Sequence, residues 1–101
     1  MLGAIMKTYR RKLSSEDAAT GSILIEKRVW RAFPPPMTEF DVDVAGGRFA
    51  TRIVAEDCAC VSPPHQHYHL EAGHFRHLLD FERGSVIEID AGDAGFTVRN
   101  G

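Results

Sequence analysis

The sequence predicts an α+β protein with a mostly antiparallel sheet, two hairpins and one or two helices packed on one face. Two observations favour this class. Short segments that alternate apolar with polar residues recur along the chain, separated by glycine and proline pairs, and such segments predict about five or six strands. Strand and helix patterns do not alternate, which argues against a parallel nucleotide-binding sheet.

The first elements are the least regular. We expect residues 1–13 to form a short helix or a flexible arm, because Tyr9 and Leu13 lie on one helical side. Residues 22–33 fit either a helix or a strand. The β-branched residues and the glycine before this segment favour a strand. Three prolines at 34–36 end the segment in either case, since proline lacks an N–H group.

The clearest element is a hairpin in the middle of the chain. Phe40, Val42 and Val44 alternate with two aspartates, which predicts a strand with one buried face. The glycine pair 46–47 predicts a turn, and residues 48–54 then alternate as the returning strand.

The second half of the chain predicts further strands and one helix. Residues 65–70 alternate as an edge strand would, and residues 58–61 are expected to continue the earlier hairpin or to form a new strand. We prefer a helix for 71–83, with a strand over 75–81 as the competing interpretation. Residues 86–89 and 96–99 then predict a closing hairpin around an Asp/Gly turn.

Size and composition indicate one globular domain, 1–101. Hydrophobic residues make up 44% of the 101 residues and charged residues 26%, values typical of folded domains. The longest uncharged apolar run, residues 1–6, is far shorter than the roughly 20 residues of a membrane helix. It also lacks the features of a signal peptide, so we expect a cytoplasmic protein with no membrane partner.

The net charge of −2 conceals an uneven distribution. Residues 1–33 contain seven basic and three acidic residues, a sum of +4, whereas residues 34–101 contain five and eleven, a sum of −6. Basic tails are more often solvated than bound to nucleic acid, and we therefore do not expect a nucleic-acid partner. A regulatory or nucleic-acid-binding module that uses the basic first third remains an alternative.

All five histidines lie within residues 65–77, just after two cysteines. In an extended segment, alternate residues share a face with Cα atoms about 6–7 Å apart, close enough for imidazoles to converge on one ion. A carboxylate and a further histidine follow on the same side if 71–83 is helical. Imidazole and carboxylate ligands suit a divalent Zn, Ni, Fe or Mn ion. The candidate ligands are His65, His67, His69, Glu71 and His74.

The spacing His65-x-His67-x3-Glu71 resembles the first half of the metal motif of cupin barrels, which is also preceded by prolines. The resemblance covers about ten residues. Leu78 stands where that motif has a glycine, and no histidine follows His77 to supply the second half of the motif. The resemblance implies a metal-binding site, and a complete barrel of this type would need more chain or a partner subunit.

The sequence contains no complete catalytic motif, and we assign no catalytic residue and no organic cofactor. The leading hypothesis is a small binding protein that forms a homo-oligomer. Its histidine-rich segment, 65–77, would line a cleft or an interface, hold a divalent metal and accept a small-molecule ligand. The alternative from another class is a small metal- or histidine-dependent enzyme with a cupin-like site.

Overall fold

Eight strands in two sheets dominate the computed structural model, which describes residues 8–58, 65–92 and 95–101. The helical segments are one α-helix, α1, and two short 3-10 helices, here called η1 and η2. In chain order the elements are β1 (Thr8–Lys12), α1 (Ser15–Thr20), β2 (Ser22–Ile25), η1 (Lys27–Ala32), β3 (Phe40–Val44), β4 (Gly47–Thr51), β5 (Ile53–Cys58), β6 (His65–Glu71), η2 (Arg76–Leu78), β7 (Val86–Gly92) and β8 (Gly95–Asn100).

The two sheets differ in size. The larger sheet has the order β1-β7-β8-β3-β4, and the smaller sheet has the order β2-β6-β5. All neighbours are antiparallel except β3 and β8, which run parallel. In the β3–β4 hairpin, Val44 pairs with Gly47, so the turn is formed by Ala45 and Gly46. Both have positive φ, as a type I′ hairpin turn requires.

The predicted α+β class is wrong, because the helical segments are short and do not form a layer. The six residues of α1 are the only α-helix among the described residues. The expected helix over 71–83 is reduced to the single turn η2. Gly73 disfavours a helix at its start, and the residue before η2, Phe75, provides no side-chain cap. Of the apolar residues there, Phe75 is fully buried, whereas Leu78 is 40% exposed.

Three other segments also differ from the sequence-based expectation. Residues 65–70 form most of β6, but this strand lies in the middle of the smaller sheet and not at its edge. Residues 8–12 form β1, an edge strand that pairs along its whole length with β7, rather than a helix or an arm. Residues 22–33 divide between the strand β2 and the 3-10 segment η1. Residues 1–7 and the predicted strand over 59–61 lie outside the described residues. No helix in the described part of the chain is long and apolar enough to cross a membrane.

The hydrophobic core lies between the inner faces of the two sheets. On the smaller sheet, cross-strand partners Ile23, Leu70 and Ile53 are all buried. Residues from the larger sheet and from the segments between strands complete the core: Tyr9, Leu13, Ile25, Val29, Phe33, Val42, Val44, Ala72, Phe75, Ile87, Ile89 and Val98.

Helix α1 is fixed at both ends. The Ser14 side chain accepts a hydrogen bond from the Asp17 backbone N–H, and Asp17 accepts one from the Ser14 N–H. This capping box satisfies two helix-terminal donors. At the other end, Gly21 adopts a left-handed conformation with φ of 72°, which glycine tolerates at no steric cost. The chain therefore leaves α1 directly into β2.

Tyr9 connects the larger sheet to the end of β2. Its hydroxyl donates a hydrogen bond of 2.7 Å to the Leu24 carbonyl and accepts one of 3.3 Å from the Glu26 N–H. Burial raises the pKa of the Tyr9 hydroxyl above its ordinary value, because the phenolate would lose its hydration.

We expect Tyr9→Phe to lower the free energy of unfolding at pH 7 by about 1–2 kcal/mol, since the Leu24 carbonyl loses its donor. The raised pKa also predicts a pH effect. A group with a raised folded-state pKa stabilises the fold fully below its unfolded pKa, about 10 for tyrosine, and this contribution is lost as the pH rises through the folded value. Urea unfolding between pH 8 and about 11 should therefore show a smaller alkaline loss in Tyr9→Phe than in the wild type. Equal losses would contradict this role of Tyr9.

Candidate functional site

Segment η1 is held against the smaller sheet by an aromatic stack. The Trp30 ring lies on the Tyr68 ring of β6, with centroids 3.7 Å apart and planes 10° apart. The Trp30 indole N–H donates a 2.8 Å hydrogen bond to the Ile25 carbonyl, and Val29 is buried in the core. These contacts fix one side of η1, so its remaining side chains point to solvent.

The exposed side of η1 is basic. Lys27, Arg28 and Arg31 lie within five consecutive residues and are all exposed. The Arg28 guanidinium lies 2.7 Å from Glu26 and 5.8 Å from the centre of the Tyr9 ring. Within the described parts of the chain, neither Lys27 nor Arg31 has a carboxylate partner. This segment is therefore a compact positive patch with two cations available to a ligand.

A groove of about 540 Å³ runs beside this patch. It contains apolar side chains and the aromatic Trp30, while an amide and an imidazole provide hydrogen-bonding groups. The lining residues are Leu24, Ile25, Glu26, Lys27, Trp30, Gln66 and His67. Cations at the edge of a groove with amide and imidazole groups suit an anionic polymer that also presents polar edges.

Two residues of this groove, Leu24 and His67, also belong to the solvent side of the smaller sheet, here called the outer face. Alternation along the strands places three cross-strand rows on this face. One row pairs Ser22 with Glu71, the next contains Leu24, His69 and Val54, and the last pairs Glu56 with His67. A second groove of about 440 Å³ includes residues of all three rows and extends to α1. Its lining residues include Glu16, Thr20, Ser22, Val54, Glu56, His69, Glu71 and His74.

The four predicted metal ligands whose side chains the structure describes do not converge. The rings of His67 and His69 have centroids 6.5 Å apart, and the Nε2 atom of His69 lies 3.6 Å from Glu56. The carboxylate of Glu71 lies 3.1 Å from the Arg52 guanidinium. The Nε2 atom of His74 makes a 2.6 Å hydrogen bond to the Ala50 carbonyl.

The expectation that this segment binds a metal as the function of the protein is therefore wrong for the described residues, whereas the ligand set that includes His65 stays a prediction. No group of three or more histidine, cysteine, aspartate or glutamate side chains in the described residues could hold an ion. His65 begins β6, and its side chain lies outside the described part of the structure, as does Cys60. The physical reason is that each side chain contacts a different neighbour. The absence of a helix over 71–83 also removes the shared side expected for Glu71 and His74.

The functional candidates that sequence reasoning missed are the cations of η1 and the Trp30 stack. The +4 charge of residues 1–33 signalled them, but it was assigned to a solvated tail. The tail contributes Arg10 and Arg11, which pair with Glu88 and Asp17. Among the described residues, Lys27 and Arg31 have no such partner, and they lie later in that third, on η1.

The architecture defines the class of protein: a mostly-β fold of two sheets, with a basic segment at one end of the smaller sheet. Among solved structures, the chain is similar to one in the Arabidopsis FUS3–DNA complex. The TM-score is 0.70, the sequence identity is 12%, and the match covers 91% of this chain and 93% of that one. At this identity the similarity concerns the fold. No protein-family model and no curated protein sequence matches the chain.

Proposed function

We propose that this protein is a DNA-binding module that contacts duplex DNA with η1 and the adjoining outer face. The observation that carries the proposal is the similarity of nearly the whole chain to a protein solved in a complex with DNA. This finding overturns our expectation that nucleic acid is not a partner. It favours the nucleic-acid alternative over the metal-binding homo-oligomer and over the cupin-like enzyme.

The charges of η1 support contacts to the phosphate backbone. Lysine and arginine side chains bind phosphate oxygens and fix the position of a protein on the duplex. The exposed ion pair between Arg28 and Glu26 is worth less than about 1 kcal/mol, so Arg28 can exchange that carboxylate for a phosphate. The whole chain has a net charge of −2, so DNA attracts the basic segment η1 but not the protein as a whole. This difference orients the approach of the protein to DNA.

The shape of the smaller sheet supports insertion into the major groove. Strands β5 and β6 are antiparallel neighbours, paired from Ile53 with Leu70 to Asp57 with Gln66. Because β2 ends opposite Tyr68, β5 and β6 continue beyond that point as a two-stranded ribbon. The major groove of B-DNA, about 12 Å wide, admits such a ribbon. The outward residues of β6, from His67 to Glu71, span about 13 Å, which is comparable to the groove width. The outer face can therefore approach base edges while η1 contacts the backbone.

DNA binding requires that the protein share a compartment with DNA. The cytoplasmic location expected from the sequence stays a prediction. In a cell without a nucleus, a cytoplasmic protein shares its compartment with the DNA.

The direct test is titration of a fluorescently labelled duplex with the wild-type protein, followed by anisotropy at several salt concentrations. If Lys27, Arg28 and Arg31 each contact one phosphate, the slope of log K against log salt is expected to be about −2.7. This slope lowers the affinity about 40-fold between 50 and 200 mM salt. No binding at about 100 µM protein and low salt, the weak limit of non-specific binding, would contradict the proposed function.

A further inference from the structure

The outer face and η1 offer opposite kinds of hydrogen-bonding groups. Lys27 and Arg31 on η1 carry only donors. The second groove, in contrast, is rich in acceptors: it is lined by the carboxylates of Glu16, Glu56 and Glu71. Phosphates are acceptors themselves, so this part of the face cannot serve the DNA backbone. It suits a DNA group that donates.

Glu56 is the carboxylate best placed to meet such a group. It lies on β5 opposite His67, at the end of the outer face nearest the η1 groove, and its side chain is 71% exposed. Its Oε1 atom lies 3.6 Å from the Nε2 atom of His69, whose side chain is only 18% exposed. Glu71, by comparison, is already paired with Arg52 at the far end of the face.

A largely buried imidazole lies beside Glu56. His69 is held by burial, and its Nδ1 atom has no hydrogen-bond partner within the described residues. Its Nε2 atom is near the Oε1 atom of Glu56, at a distance longer than a hydrogen bond. Because the Glu56 side chain is exposed, its carboxylate can accept hydrogen bonds from a ligand while the imidazole lies beside it.

The major groove offers few donors to such a group. Among base edges there, the exocyclic amino groups of cytosine and adenine donate, whereas the guanine edge has only acceptors. The carboxylate is suited to the cytosine amino group, since adenine also presents its N7 acceptor beside the donor. Glu56 is one carboxylate at one end of the outer face, so it addresses one defined position.

We propose that Glu56 is a specificity-determining residue that accepts a hydrogen bond from a cytosine amino group, with His69 positioning its carboxylate. The module then prefers sites with cytosine at one fixed position, beside the backbone contacts of η1. This inference rests on the proposed DNA binding and adds the base that is recognised.

The test is selection of duplexes from a randomised pool by the wild type and by Glu56→Gln, with affinities then measured on the selected site and on its single-base variants. Glu82→Gln is the matched control, because Glu82 is also exposed and lines neither groove. For the wild type we expect about 5- to 150-fold discrimination for cytosine at one position, the range that 1–3 kcal/mol per specific contact gives. Glu56→Gln should lose this preference and tolerate adenine, which an amide contacts through N6 and N7.

The positioning role of His69 has its own measurement. His69→Leu should weaken the preference for cytosine at that position while binding to a non-specific duplex stays within about twofold of the wild type. An unchanged preference in this variant would remove His69 from the proposal.

Three other results distinguish a failure of the proposed role of Glu56 from a failure of the proposed DNA binding. A wild type that binds DNA without any cytosine preference overturns the role of Glu56 and leaves the proposed function intact. Glu56→Gln binding all duplexes more tightly by the same factor, with its preference unchanged, also overturns it, because Glu56 would then act only as a charge near the backbone. A wild type that binds no duplex overturns the proposed function itself.

Discussion

Reversing two charges on η1, with Lys27→Glu and Arg31→Glu together, is expected to reduce affinity for duplex DNA by at least about 100-fold. Both side chains are exposed, and each charge-assisted contact to a phosphate is worth about 1.5 kcal/mol or more, where 1.4 kcal/mol corresponds to tenfold. The salt dependence should also weaken, because two of three phosphate contacts are lost and the slope falls by about 0.9 for each. Anisotropy titrations at two or more salt concentrations measure both effects.

The control makes the same change of net charge elsewhere. Lys12→Glu with Arg83→Glu also reverses two exposed basic residues, one on the edge strand β1 and one between η2 and β7. We expect a loss of only a few fold, from the long-range field alone. An equal loss of affinity in the two double variants would show that net charge, and not the position of η1, determines binding.

The second large effect concerns stability. Asp17→Ala is expected to lower the free energy of unfolding by about 3–5 kcal/mol, the cost of removing one partner from a buried ion pair. Asp17 is 3% exposed, and its Oδ2 atom accepts hydrogen bonds from the Arg11 Nε and Nη2 atoms at 3.0 and 2.8 Å. The same oxygen accepts the Ser14 N–H of the capping box, so one substitution breaks two local supports. Urea denaturation at pH 7 measures the loss.

Asp41→Ala provides the comparison for this variant, because Asp41 is an exposed residue of β3. A surface change of this kind alters stability by about 0.5 kcal/mol or less. If Asp17→Ala costs less than about 1 kcal/mol, the Arg11–Asp17 pair is not the support that the structure describes. Since α1 leads directly into β2, an intact Asp17 also keeps the first strand of the smaller sheet in place.

Local sequence patterns predicted those strands that have one face in the core and one face toward solvent. The alternation of Phe40, Val42 and Val44 located β3, because only one face of that strand meets the core. The glycine pair placed the following turn one residue late: Ala45 and Gly46 form it, and Gly47 already pairs with Val44. Residues 86–89 likewise located β7, which pairs with β8.

The same patterns failed where tertiary pairing decides the structure. Tyr9 and Leu13 also fit one side of a helix over residues 1–13, and only the partner strand β7 selects the extended form of residues 8–12. In 71–83 the large apolar residues suggested a helical side, yet among Phe75, Leu78, Leu79 and Phe81 only Phe75 is fully buried. Neither β7 nor the core can be inferred from the local sequence of these segments.

The candidate site was obscured by its most conspicuous residues. Five histidines within residues 65–77 suggested convergence on an ion, but the structure gives His69 and His74 separate partners, Glu56 and the Ala50 carbonyl. The cations of η1 were visible in the sequence, but their availability depends on which carboxylates lie nearby. The fold decides which carboxylates these are, because the stack of Trp30 on Tyr68 fixes the position of η1.

The most direct test of the account is to map where DNA binds on the wild-type protein. Backbone amide resonances of isotope-labelled protein, followed by NMR during titration with a short duplex, report each contacted segment separately. We predict that shifts concentrate on η1 and on the outward residues of β5 and β6. Shifts confined to β1, β7 and β8 of the larger sheet, or no shifts at saturating duplex, would contradict the account.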